Sequence, residues 1–247
     1  MQAPIAPTVA RPLMHHYWRH VSFLHWRYPP EIVQRFLPRG LRVETYDGAA
    51  WVSLVPFLMD EVRPPGLPAM PWVSRFPETN VRTYVQGPDG NSGIWFFSLD
   101  AAHLDPVLGG RLGYGLPYMW ADMSVTPREN RYSYASRRRW PGPRGARCRV
   151  EVEWGDEAID PDELDHFLTA RYWLYTVVAG RLATAPAAHG PWPLRRANLV
   201  SVDETLVQAP GLPAPQGPPI VHASPGVRVR IGAWHKVNGQ ERNPDPM

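Results

Sequence analysis

The chain has 247 residues, 44% of them apolar and 20% charged, so it is long enough to bury a large core and too apolar to be disordered. A formal net charge of +3, from 26 basic against 23 acidic residues, excludes the strong basic excess of a dedicated nucleic-acid binder. The lone Cys148 excludes an intrachain disulfide, and neither a signal-peptide pattern nor a membrane-length apolar run is present, so a cytoplasmic protein with no membrane partner is expected. The basic residues are arginines except for Lys236. Arginine stays protonated and cannot form a Schiff base, which narrows the chemistry from the outset. The 30 prolines are spread through the chain and punctuate short elements, which predicts one domain with a core over about 13–237 and loose ends at 1–11 and 238–247.

In chain order, HVSFLHWRY alternates as a strand, with Val21, Phe23, His25 and Arg27 on one face and Ser22, Leu24, Trp26 and Tyr28 on the other. Pro29 and Pro30 end it and open a short helix over 31–37, which Pro38-Arg39-Gly40 stops. LRVETY and AAWVSLVPFLM flank Asp47-Gly48, a favoured two-residue turn, and are expected to pair as a hairpin. RPPGLPAMPW reads as a surface loop. FPETNVRTYV and GIWFFSLDA make a second hairpin, followed by a short helix over 105–112. ENRYSYASRRRW and RCRVEVEW, joined by PGPRGA, make a third, with Cys148, Val150, Val152 and Trp154 on its inner face. Asp160 as N-cap, Pro161 at N1 and Glu163 at N3 predict a helix reaching about Gly180, its buried side formed by Leu164, Phe167, Leu168, Tyr172 and Tyr175. PWPLRRANLVSV and GVRVRIGAW close the chain as strands around a proline-rich excursion at 210–219. The pattern is that of a β-rich α+β domain.

Within FPETNVRTYV, strand alternation puts Glu78, Asn80, Arg82 and Tyr84 on one face. A carboxylate, an amide, a guanidinium and a phenol in one row form either a solvated sheet face or the wall of a polar pocket. In a pocket, Arg82 would clamp a carboxylate, Glu78 would exchange a proton and Asn80 would orient a carbonyl, while Tyr84 packs at the strand's end. His25 is either a satisfied structural histidine or a pocket base. His15, His16, His20 and His25 have no acidic partner nearby in sequence, so no metal site is expected. The arginines at 137–139, with Arg144, Arg147 and Arg149, concentrate charge in the third hairpin; Glu151 and Glu153 share a face with Arg147 and Arg149 as in a cross-strand charge ladder, so a solvated face and no nucleic-acid partner are expected. No G-x-S-x-G elbow and no phosphate-binding G-x-x-x-x-G-K-[ST] loop occurs.

Five blocks together, HWRYPPEIVQRFLPRGLRVETYDGAAWVSLVPF, FPETNVRTYV, GIWFFSLDA, GLPYMWADMSV and VHASPGVRVRIG, resemble the YqjF-like family of uncharacterised bacterial proteins. That family is similar in turn to the acetoacetate decarboxylase-like superfamily. The resemblance implies a largely antiparallel barrel or cone with a few helices packed outside and a small-molecule pocket within. It also permits a homo-oligomer. The superfamily's decarboxylases carry two lysines after a glycine-containing turn, where this chain has Gly115-Leu116-Pro117-Tyr118-Met119. A phenol and a thioether cannot form a Schiff base, so the resemblance implies the pocket without that reaction. Their acidic strand residue matches Glu78, or Asn80 if the correspondence slips by two. The expected site is Glu78 as acid or base, with Arg82, Asn80, Tyr118 and His25 around the ligand and no cofactor. Two functions fit: lyase-like or proton-transfer chemistry on a carboxylate- or carbonyl-bearing metabolite, and non-catalytic ligand binding on the same barrel.

Overall fold

A computed structural model describes residues 5–237; the expected loose end at 238–247 and the first residues of the one at 1–11 lie outside them. The elements are β1 (Met14–Tyr28), α1 (Pro30–Gln34), β2 (Arg42–Val43), β3 (Ala50–Arg63), β4 (Phe76–Gln86), β5 (Ser92–Ala101), α2 (Leu104–Tyr114), β6 (Tyr118–Arg128), β7 (Arg131–Trp140), β8 (Arg147–Ala158), α3 (Glu163–Thr169), β9 (Trp173–Val178), β10 (Arg181–His189), β11 (Arg195–Glu204), β12 (Ile220–Ile231) and β13 (His235–Lys236). All strands belong to one 13-stranded sheet. β5 pairs in parallel with β6 and β9, and the other ladders are antiparallel.

The sheet closes on itself twice. One circuit runs β4-β5-β6-β7-β8-β11-β12-β1-β3 and back to β4. The other runs β5-β9-β10-β12-β1-β3-β4 and back to β5. β12, β1, β3, β4 and β5 therefore form a wall common to both rings. Strand alternation sends their side chains to two cores. Leu24, Val52, Leu54, Val81 and Val221 pack with Cys148, Val150, Val152 and Trp154 in the first ring. Phe23, Val55, Phe57, Phe96 and Val229 pack with Leu174 and Trp192 in the second. This explains why β1 is buried on both faces from Val21 to Trp26, where a one-sided sheet would alternate with solvent.

Two expectations are corrected. The Asp47-Gly48 turn forms, with both residues at positive φ and a Tyr46–Ala49 bridge, but Arg42 and Val43 pair with Gln86 and Val85 of β4 instead of with β3. The turn chemistry is local; the ladder goes to the partner with an open edge. The helix expected over 160–180 stops at Thr169. Its N-cap is Asp162, which accepts from the Asp165 N–H in a capping box. Beyond it, Trp173–Val178 pairs with β10 across a turn at Ala179 and Gly180, both at positive φ. The run WLYTVV is rich in aromatic and β-branched residues, and its fit to the sheet outweighs the helical spacing of Tyr172 and Tyr175. Among the described residues no helix is long and apolar enough to cross a membrane.

Candidate functional site

The second ring encloses a cavity of about 540 Å³. Its walls are mostly apolar, including Phe23, Val55, Phe57, Phe96, Leu99 and Trp192. β4 brings Glu78, Asn80 and Arg82 to it, since residues two apart share a strand face. The row is not solvated: Glu78 is 2% exposed, Asn80 5% and Arg82 5%. Of the two readings open from sequence, the geometry is that of a pocket wall.

Arg82 is the electrostatic anomaly of this wall. Its Nη2 donates to the Leu168 carbonyl at 3.3 Å, and its guanidinium lies over the rings of Phe23 and Tyr84. Nε has no hydrogen-bond partner, and no carboxylate pairs with Arg82 among the described residues. Asn80 Oδ1 is likewise buried without a partner. Buried polar atoms are normally satisfied, and six residues of this wall, His16, Trp18, Asn80, Arg82, Arg171 and Trp234, each keep one without a partner, so the cavity has unused hydrogen-bonding capacity on its wall.

Glu78 stands four residues from Arg82 on the same strand, and the two do not form an ion pair. Its carboxyl accepts from the Tyr118 hydroxyl at 3.1 Å. Burial raises its pKa from 4.5 to about 8, against the lowering effect of the Tyr118 hydrogen bond and with a further push from Asp100. Glu78 is therefore neutral at neutral pH and can donate a proton. Tyr118 reaches it because Gly115 ends α2 in the left-handed region, φ 64°, and turns the chain into β6. A side chain at Gly110 would run into the Tyr118 ring, so this glycine keeps the phenol in place.

His25 does not line the cavity. It lies behind Phe23, whose ring stacks on it at 5.9 Å. Its Nδ1 is 2.7 Å from Ser53 Oγ, which is 2.7 Å from the Tyr84 hydroxyl, and Tyr84 donates to the Leu168 carbonyl at 2.7 Å. Arg82 uses the same carbonyl, so the His25–Ser53–Tyr84 chain and the Arg82 guanidinium meet at Leu168. Burial, with His222 and Arg82 nearby, holds the His25 pKa well below its usual value and keeps the ring neutral. Lys236, exposed on β13 opposite Ala183, is not on the cavity wall. Among the described residues no group of three His, Cys, Asp or Glu side chains is placed to hold a metal ion.

Two wall residues escaped sequence reasoning. Arg171 pairs with Glu44 at 3.0 Å and lies over Phe167. His189 donates from Nδ1 to the Gly190 carbonyl at 2.7 Å, and burial lowers its pKa to about 4. Arg171 was hidden by the overlong predicted helix, which assigns it the wrong periodicity. His189 falls at a strand end with no motif around it.

The chain matches the family model of an uncharacterized conserved protein, DUF2071, over residues 15–228. It is 35% identical over 210 residues to the uncharacterized protein YqjF of Bacillus subtilis, a span of 85% of this chain and 86% of that one. Among solved structures, an acetoacetate decarboxylase-like enzyme from Sphingomonas wittichii RW1 superposes with TM-score 0.66 at 14% identity, covering 93% of this chain and 94% of its own. The enduracididine biosynthesis enzyme MppR complexed with pyruvate gives 0.65 at 14%, over 96% and 99%. Acetoacetate decarboxylase from Legionella pneumophila gives 0.63 at 14%, over 97% and 93%. At that identity the structures speak for the fold alone. A family model spanning most of the chain, and a relative that accompanies it for nearly its whole length, place this protein in the DUF2071 family with YqjF, on an acetoacetate decarboxylase-like fold.

Proposed function

We propose that this protein binds a carboxylate-bearing small molecule through Arg82 and acts on it by proton transfer at Glu78, without a Schiff base. The observation that carries this reading is the buried, unpaired guanidinium of Arg82 on the cavity wall. A buried cation without a counter-ion is unfavourable by several kcal/mol in effective terms, and a ligand carboxylate in bidentate contact would remove that penalty. Glu78 matches the requirement for a general acid or base, a pKa near the working pH. Asn80 and the Tyr118 hydroxyl orient a carbonyl or hydroxyl oxygen, and His25 holds the Ser53–Tyr84 chain beneath Arg82. The wall carries no lysine, so this chain offers no amine for carbinolamine chemistry there. MppR complexed with pyruvate agrees with a carboxylate ligand class.

A thermal-shift screen of carboxylate metabolites on wild type and Arg82→Ala tests the clamp. A ligand at a hundred times its Kd should stabilise wild type by about 2.7 kcal/mol and leave the variant unmoved. A carboxylate that stabilises both equally, or none that stabilises either, defeats the reading. Proton transfer is tested separately, by solvent-deuterium exchange into the bound ligand followed by NMR. Glu78→Gln should abolish exchange into ligand that is still bound at saturating concentration; a wild type that binds without exchanging is a binding protein on the same barrel.

A further inference from the structure

The two polar poles of the cavity wall are set apart, and that separation constrains the ligand's shape. Glu78 and Arg82 share a strand face four residues apart, so their Cα atoms are about 13 Å distant at the usual rise of an extended chain. Their side chains do not meet: no ion pair joins them, and the charge that acts on Glu78 is that of Asp100, not that of Arg82. Each has its own surroundings. Arg82 sits at the α3 end, on the Leu168 carbonyl and near Arg171 and His189. Glu78 sits with Tyr118 near the start of β4, the strand that follows the segment contributing the exposed Leu67, Met70 and Val73 to the cavity.

Strand register defines what lies between them. Val55 and Leu99 flank Asn80 from β3 and β5, and Phe57 and Ala101 flank Glu78. Asn80 is thus the polar side chain of an otherwise apolar middle belt on these three strands. A short 2-oxo or 3-oxo acid has its carboxylate and carbonyl one or two bonds apart. Bound at Arg82 it would leave Glu78 facing no reacting atom and the apolar belt uncovered; bound at Glu78 it would leave the guanidinium unpaired.

We propose that the ligand is an elongated amphiphile, with its carboxylate at Arg82, an apolar body along Val55, Leu99 and Phe96, and a hydroxyl or carbonyl that meets Glu78 and Tyr118 several bonds from the carboxylate. This rests on the reading of Arg82 as the anion clamp. It adds that pyruvate- and acetoacetate-sized acids are too short to engage both poles.

Isothermal titration of wild type with straight-chain monocarboxylates from acetate to the fourteen-carbon acid, below their micelle concentrations, tests the body of the ligand. Pyruvate and acetoacetate are included, with n-alkanols as carboxylate-free controls. Affinity should rise at least tenfold from the two- to four-carbon acids to the best longer one, and the matched alkanol should bind more weakly than the acid. A second series moves one hydroxyl or oxo group along the best chain. Affinity should rise about five- to tenfold, the worth of one or two hydrogen bonds, within one window of mid-chain positions. Glu78→Gln and Tyr118→Phe should reduce that increment, read on each variant as the ratio of the substituted acid's affinity to the parent acid's. Pyruvate or acetoacetate binding as tightly as the longer acids overturns the inference while leaving the Arg82 clamp intact. An increment at the 2- or 3-position does the same. Failure of every carboxylate to bind overturns the clamp and the inference together.

Discussion

Two arginines lie equally deep in this protein and in opposite circumstances. Arg138, 3% exposed, projects into the first ring. Its Nε and Nη2 donate to the two Asp100 oxygens at 3.0 and 2.6 Å, and Nη2 also donates to Ser98 at 3.0 Å. Arg82, 5% exposed, faces the cavity of the second ring with the Leu168 carbonyl as acceptor and, among the described residues, no carboxylate. Both are bounded by the shared wall, which carries Asp100 and Ser98 on one face and Arg82 on the other. Burial is the same; satisfaction is not. The Arg138 guanidinium is completed by protein groups, whereas the Arg82 guanidinium is left incomplete beside a cavity, the arrangement on which the proposed ligand site rests.

The largest effect should come from Arg138→Met, which leaves Asp100 buried and unpaired. A loss of about 3–5 kcal/mol in chemical denaturation is expected. Glu78→Gln should act next most strongly, and with pH. In the wild type Glu78 keeps its proton up to about pH 8 when folded but releases it near 4.5 when unfolded. The folded state therefore binds more protons across that window, and wild-type stability falls as pH rises through it. Glutamine has no proton to lose, so the variant should gain on wild type by roughly 2–4 kcal/mol between about pH 5 and pH 8.5, at about 1.4 kcal/mol per pKa unit. Equal pH profiles would mean that Glu78 is not held neutral.

Arg82→Met should contrast with Arg138→Met in the size of its effect. Removing an unpaired buried charge sacrifices one long hydrogen bond and two ring contacts, so ligand-free stability should stay within about 1 kcal/mol of wild type or rise. Carboxylate-induced stabilisation should vanish. A loss as large as that of Arg138→Met would erase the distinction between the two arginines. The smallest effect belongs to Tyr118→Phe. The lost hydrogen bond, worth about 1 kcal/mol, should raise the Glu78 pKa further by less than about one unit, measurable by carboxyl-carbon NMR titration.

The polar row of β4 was visible in sequence because a period of two is written directly into FPETNVRTYV. Its partner Tyr118 was found from the resemblance, at the turn where the decarboxylases carry lysine. The third hairpin's inner face was also legible, and Cys148, Val150, Val152 and Trp154 are all buried. Arg138 was not. It sat in a run of three arginines that reads as a solvated face, yet alternation with Tyr134 and Ser136 carries it inward to Asp100. The sequence leaves His25 open between a structural histidine and a residue beside the ligand, and the structure places it one layer behind Phe23, off the cavity wall.

Local pattern, by itself, determined which segments extend, where most of them turn, and which residues share a strand face, because these depend on backbone geometry and near neighbours. It also excluded an amine nucleophile at the Tyr118-Met119 turn. Tertiary structure alone decided that the sheet closes twice and that β4 belongs to both rings. Only then does one face of the strand meet a packed core and the other a cavity. Whether Glu78 is neutral, and whether Arg82 lacks a partner, follow from that closure, since desolvation and ion pairing are set by groups distant in the chain.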